Sequence, residues 1–177
     1  MSRPRVLALV DYYLPGYKSG GPLRTIANMV ARLGDRIDFF VLTRDRDATD
    51  AGPYPGVRVG AWNEVAGARV FYAPPGGLTA RSIRARVAEV APTTIYLNSF
   101  FSPLTVRLLS MRRLGLLPPA PVVIAPRGEL SPGALSLKAP KKRAFLAAAR
   151  VARLYGGLTW QASSAAEAAE IRRAVGP

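Results

Sequence analysis

Residues 6–43 read VLALVDYYLPGYKSGGPLRTIANMVARLGDRIDFFVLT, and the changes of pattern within them decide the fold. Val6–Val10 is an unbroken apolar run, as a strand covered on both faces shows. A loop rich in Gly and Pro, Asp11–Gly21, follows it. Pro22 then opens a stretch in which Leu23, Ile26, Ala27, Val30 and Leu33 recur on one helical face. Proline suits a first helical turn, where its missing N–H has no partner to lose, and Gly34 suits the helix end. Ile37–Thr43 is a second apolar run, which completes a βαβ unit.

The alternation continues along the chain. Arg44–Gly60 carries charge, Gly and Pro and is expected to be a mobile loop. Ala68–Tyr72 reads as a third strand, Pro74–Gly77 as a turn, and Thr79 as the cap of a helix with Ile83, Val87 and Val90 on one face. Thr94–Leu97 is a fourth strand, Pro103–Leu114 a helix ended by Gly115, and Val122–Ala125 a fifth strand. After a loop come a basic, Ala-rich helix, Lys141–Tyr155, and a sixth strand, Leu158–Ala162. Ser164-Ala-Ala-Glu167 is a capping box that opens a last helix to about Val175. The expected fold is α/β: a Rossmann-like parallel sheet of about six or seven strands with helices on both faces. Residues 1–177 are expected to form one domain. The sequence stops after a helix, at Gly176-Pro177, as it would at a domain boundary.

Lys and Arg number 25 against 11 Asp and Glu, for a net charge of +14. Such an excess points to an anionic partner: a phosphate-bearing ligand, an anionic membrane surface or nucleic acid. It equally fits a GC-rich genome, since Arg dominates Lys and Ala is abundant. No nucleic-acid-binding motif is visible and the basic residues are spread along the chain, so no nucleic-acid partner is expected. The chain has no Cys and no His, which excludes disulfides, thiol nucleophiles, His-dependent triads and imidazole metal sites within it. Val6–Val10 is too short for a signal-peptide core, and nothing approaches the roughly 18 apolar residues of a spanning helix. The expected location is cytoplasmic, at most peripheral on the inner membrane face.

In open α/β sheets, ligands bind beyond the carboxyl ends of the strands. Five loops meet there: Asp11–Gly21, Thr43-Arg44, Asn98–Ser102, Pro126–Glu129 and Gln161–Ser164. In the first, Lys18-Ser19-Gly20-Gly21-Pro22 leads straight into a helix. It is either a backbone cradle for phosphate or carboxylate at a helix N-terminus, or a flexible turn. Neither GxxxxGK[ST] nor GxGxxG is present. Arg127, in Pro126-Arg127-Gly128-Glu129, follows a buried strand, where its fork can grip phosphate or sugar hydroxyls. Glu129 either holds Arg127 in place or contacts a sugar hydroxyl. Asn98 is a hydrogen-bonding candidate next to Ser99, and Phe100 and Phe101 are either a sugar or lipid platform or a lid on the core. Lys138, Lys141, Lys142 and Arg143 lead a basic amphipathic stretch to Arg153. It lies either on an anionic bilayer or on the sheet with its charges in water.

Four segments in this order carry a resemblance: Gly20-Gly21-Pro22-Leu23-Arg24; Tyr96–Ser102; Ala125–Leu135 with Lys141-Lys142; and Ala162–Glu167. Together they resemble the N-terminal domain of family-4 glycosyltransferases of the GT-B fold, of the exopolysaccharide and lipopolysaccharide type. Pro126-Arg127-Gly128-Glu129-Leu130 is the most specific of them and Gly20-Gly21 the least. The resemblance implies retaining transfer of a sugar from a UDP-, GDP- or ADP-linked donor, with no cofactor and no metal. It implies a glycan or lipid-linked acceptor held by this half at Gly20, Gly21, Asn98, Ser99, Arg127, Gly128 and Glu129. The donor then belongs to a second Rossmann domain with an acidic pair, absent from this chain and supplied in cis or in trans. Two departures stand out: Asn98 and Gln161 occupy positions where many members have His. No residue here is therefore assigned a catalytic role.

Overall fold

The computed structural model describes residues 3–18 and 20–176. Ser19, in the first candidate loop, and Pro177 lie outside the described residues. In chain order the elements are β1 (Arg5–Leu9), α1 (Gly21–Leu33), β2 (Asp38–Arg44), β3 (Trp62–Val65), β4 (Ala68–Ala73), α2 (Ala80–Val90) and β5 (Thr94–Leu97). They continue with α3 (Pro103–Arg113), β6 (Val122–Ile124), α4 (Pro132–Ser136), α5 (Ala139–Val151), β7 (Thr159–Trp160) and α6 (Ala165–Val175).

The seven strands form one sheet in the order β3-β4-β2-β1-β5-β6-β7. All neighbouring pairs are parallel except β3 with β4. The order turns back on itself between β1 and β5, so loops leaving these two strands diverge and open a crevice at their carboxyl ends. The expected Rossmann-like α/β architecture is therefore the one found, with an antiparallel edge strand added.

Alternation along the strands divides the core in two. Leu7 and Leu9, Phe40 and Leu42, Ile95 and Leu97, and Ile124 face the cluster that includes Ile83 and Val87 of α2, Leu104 and Leu108 of α3, and Ile171 of α6. Ala8, Val10, Phe39, Val41, Val70 and Tyr72 face the opposite side, where Leu23, Ile26 and Val30 of α1 cover them. The helical spacing read in residues 22–33 is thus what buries α1. Its terminating Gly34 has φ −66°, not a left-handed value. Glycine serves there because a Cβ would stand 2.8 Å from the Val30 carbonyl oxygen.

Three features differ from the sequence reading. First, Trp62–Val65 is a strand joined to β4 by Ala66 and Gly67, at φ 49° and 87°. Two positive φ values make a tight hairpin that suits the twist of the strands. Second, the stretch expected to be mobile, Arg44–Gly60, is pinned down. Its Asp47 is 2% exposed and accepts from the Tyr17 and Lys18 N–H groups at 3.3 and 3.4 Å and from the Tyr54 hydroxyl at 3.0 Å. Tyr54 packs edge-on against Tyr72 of the core. Third, the loop after β6 contains the short helix α4, capped by Ser131, whose hydroxyl accepts from the Ala134 N–H at 3.2 Å. No helix among the described residues is long and apolar enough to cross a membrane.

Candidate functional site

The crevice between β1 and β5 gathers Asn98, Arg127 and the start of α1. Asn98, at the end of β5, is 2% exposed. Its amide donates to the Pro22 carbonyl of α1 at 2.8 Å, and its Oδ1 accepts from Arg127 Nε at 2.8 Å. It acts as a bracket that sets the guanidinium beside the helix N-terminus. A second Arg127 nitrogen, Nη2, donates to the Tyr96 hydroxyl. That hydroxyl in turn donates to Gln161 Oε1 at 2.6 Å. Burial raises the Tyr96 pKa, against the opposing pull of Arg127. The phenol therefore stays neutral and able to donate and accept at once.

Arg127 is held by neutral oxygens. Among the described residues no carboxylate lies within ion-pair distance of it, and its Nη1 has no protein acceptor. Its backbone is left-handed, φ 58°, and Gly128 follows at φ 76°. Left-handed backbone costs a non-glycine residue about 1–2 kcal/mol, and such strain persists only where surroundings impose it. The imposing group is Glu167, 5% exposed. Its Oε1 accepts from the Gly128 N–H at 2.7 Å, and its Oε2 accepts from the Ser163 N–H and hydroxyl at 2.6 and 2.7 Å. Burial pushes the Glu167 pKa up. The hydrogen bonds from Ser163 and Gly128 and the nearby Arg127 charge outweigh it and hold the carboxyl below its ordinary 4.5. The capping box is half as expected: Ser164 accepts from the Glu167 N–H at 3.1 Å, while the acid reaches Ser163 and crosses to the Arg127 loop.

At α1 the first turn has neither a side-chain cap nor an acidic residue. Gly20 sits at φ 58° and ψ −122°, a conformation open mainly to glycine. A Cβ at Gly20 or Gly21 would touch nothing within 4 Å among the described residues, so neither glycine is packed against a neighbouring element. Free N–H groups, the positive end of the helix dipole and an unpaired guanidinium thus face one crevice, which is chemistry suited to an anion.

The remaining candidates build this loop cluster. Glu129 makes no bond to Arg127. Its carboxylate accepts from the Ser99 hydroxyl at 2.9 and 3.1 Å, from the Phe101 N–H at 3.1 Å and from the Phe100 N–H. It thereby fixes the turn that leads into α3. Ser99 belongs to the same turn and accepts from the Ser102 N–H at 3.1 Å. Phe100 is fully buried and stacks on Tyr155 at 4.2 Å, so it lids the core.

The basic group divides. Lys142 turns inward to the Ala134 carbonyl and lies 5.0 Å from the Phe101 ring centre. Lys138, Lys141 and Arg143 are exposed. Three members of the site were not singled out by sequence: Tyr96, Glu167 as a loop anchor, and Asp47 as the tie of the first loop. Compared with known proteins, the chain matches no family model and no curated protein.

Proposed function

We propose that this chain is the N-terminal, acceptor-side half of a retaining glycosyltransferase, moving a hexose from a nucleotide sugar to a glycan or lipid-linked acceptor. Arg127 carries the reading: a guanidinium aimed into the switch-point crevice, held by two neutral acceptors, beside an uncapped helix N-terminus. Such preorganised positive groups stabilise the negative charge that builds on a phosphate as a glycosidic bond to it breaks. Gly20 and Gly21 let a phosphate oxygen approach the backbone of α1, and Arg127 grips the acceptor or the phosphate. The donor and an acidic pair belong to a second domain, in cis or in trans. This half alone binds but does not turn over. The site of action is the cytoplasmic face of the membrane.

The test is calorimetric titration with inorganic phosphate and a short-chain lipid-phosphate acceptor analogue. Binding by the native chain that falls about tenfold or more in Arg127→Ala supports the reading. Equal binding by both proteins removes it.

A second reading, an anion- or membrane-surface-binding module without catalysis, has one observation in its favour. Lys138, Lys141 and Arg143 on α5 and its approach stand near Leu137, which is 69% exposed, and Val151 at the far end of the helix is 88% exposed. Flotation with anionic but not neutral vesicles would support it, and equal flotation with both would remove it.

A further inference from the structure

We infer that a second pocket at the carboxyl end of the sheet is a subsite for a neutral pyranose. This pocket, of about 370 Å³, lies where the loops after β1, β2 and β4 meet the start of α3. Its volume falls in the range of small-ligand sites. Neither Arg127 nor the start of α1 lines it.

Two of its three arginines are paired with carboxylates, and the third, Arg107, is held by a carbonyl. Arg46 Nε and Nη2 donate to the Asp45 carboxylate at 2.8 and 3.1 Å, and Asp45 is 2% exposed. Arg44 Nε and Nη2 both donate to Asp11 Oδ1 at 3.3 Å. Arg107 donates to the Leu78 carbonyl. Asp47 is occupied by the backbone of Tyr17 and Lys18 and by the Tyr54 hydroxyl. An anion entering here meets Arg44, Arg46 and Arg107 against Asp45, Asp47 and the Asp11 bonded to Arg44, three positive charges against three negative, so the wall gives it no net charge to pair with. What the wall offers is donors and acceptors side by side: guanidinium N–H groups left over from the pairs, next to carboxylate and carbonyl oxygens with spare lone pairs.

That pattern suits a vicinal diol, whose adjacent hydroxyls each donate and accept. The rest of the lining is apolar, with the Tyr12 ring, Pro74, Pro75 and Leu104, and matches the C–H faces of a sugar ring. Arg44 lies 6.0 Å from the Tyr12 ring centre, which fixes that aromatic wall. A nucleotide or free phosphate fits less well, because the Asp45 and Asp47 carboxylates stand in the same wall as Arg107 and oppose its charge. Naming the bound sugar as the acceptor's rests on the function proposed above; the pocket's preference for neutral sugars does not.

The test is an amide-shift titration of the ¹⁵N-labelled chain with the methyl glycosides of glucose, galactose and mannose, and separately with inorganic phosphate. At least one glycoside should shift amides in 44–48, 76–78 and 104–107, where phosphate does not. Ala48 is an exposed lining residue, so Ala48→Trp should plug the pocket without disturbing the core and weaken that binding about tenfold or more. Arg127→Ala should leave it unchanged. The proposal is overturned if no glycoside shifts these amides, if phosphate alone shifts them, or if Ala48→Trp binds as the native chain does. Failure here with Arg127-dependent phosphate binding intact removes the saccharide subsite alone. Glycoside binding without any Arg127 dependence of phosphate binding removes the proposed function and leaves the pocket.

Discussion

Arg46 and Arg127 both follow buried strands at the carboxyl end of one sheet, and they differ in what surrounds the guanidinium. Arg46 lies along the buried Asp45 carboxylate through two nitrogens. Arg127 is held by an amide oxygen and a phenol, with Glu167 near enough to feel its charge but bonded to Gly128 and Ser163 instead. The strand-end arginine on the β2 side is therefore paired with a carboxylate, while the one on the β5–β6 side has no ion-pair partner among the described residues. Position at a strand end makes an arginine available in principle. Its partners decide whether it recognises hydroxyls or anions.

The comparison can be broken most forcefully at Glu167. Glu167→Ala strips acceptors from the Gly128 and Ser163 N–H groups. It should lower unfolding stability by about 2–3 kcal/mol, read by chemical denaturation, and weaken phosphate binding as the Arg127 loop relaxes. Next comes Asp45→Asn, which frees Arg46. Stability should fall by about 1–2 kcal/mol, and the β2 pocket should gain phosphate affinity by several fold. Unchanged phosphate affinity in that variant would mean that pairing is not what distinguishes the two arginines.

A smaller effect separates Arg127→Gly from Arg127→Ala. Both lose the guanidinium, but glycine accepts the left-handed backbone, so the glycine variant should be the more stable by about 1 kcal/mol. The smallest effect is with pH. The Glu167 carboxyl is depressed in the folded chain, so its stabilisation is full above the ordinary carboxyl pKa of 4.5 and is lost as pH falls through the lower folded value. Stability of the native chain should drop on acidification through this window more steeply than that of Glu167→Gln, read by thermal melts across pH.

Legibility from sequence followed the range of the interactions. The β1–α1–β2 unit was readable because its signals are local: an apolar run, Pro22, and a helical stripe closed by Gly34. β3 was not, because Trp62–Val65 is short and its turn places Ala66, a residue with a Cβ, at φ 49°. α4 has its start signal in Ser131-Pro132, but a single turn leaves no periodicity to detect. At the candidate site, Asn98 and Arg127 stand out in the sequence because strand-end position alone marks them. Tyr96 reads as another apolar strand residue, and its hydroxyl acquires a role only when Arg127 and Gln161 arrive from other loops. Glu167 was recognised as a capping residue; its bond to Gly128, across 39 positions of sequence, is a tertiary fact. Adjacency offers Glu129 either Arg127 or a sugar hydroxyl as partner, whereas the fold turns its carboxylate to residues 99–101.

In the proposed function this domain holds the acceptor rather than the donor. The direct measurement is calorimetric titration of the chain with UDP-, GDP- and ADP-sugars and with a short-chain lipid-phosphate acceptor analogue, each repeated on Arg127→Ala. The account predicts Arg127-dependent binding of the acceptor analogue and little or no binding of the nucleotide sugars. Tight binding of a nucleotide sugar by this chain alone, or acceptor binding indifferent to Arg127, would contradict it.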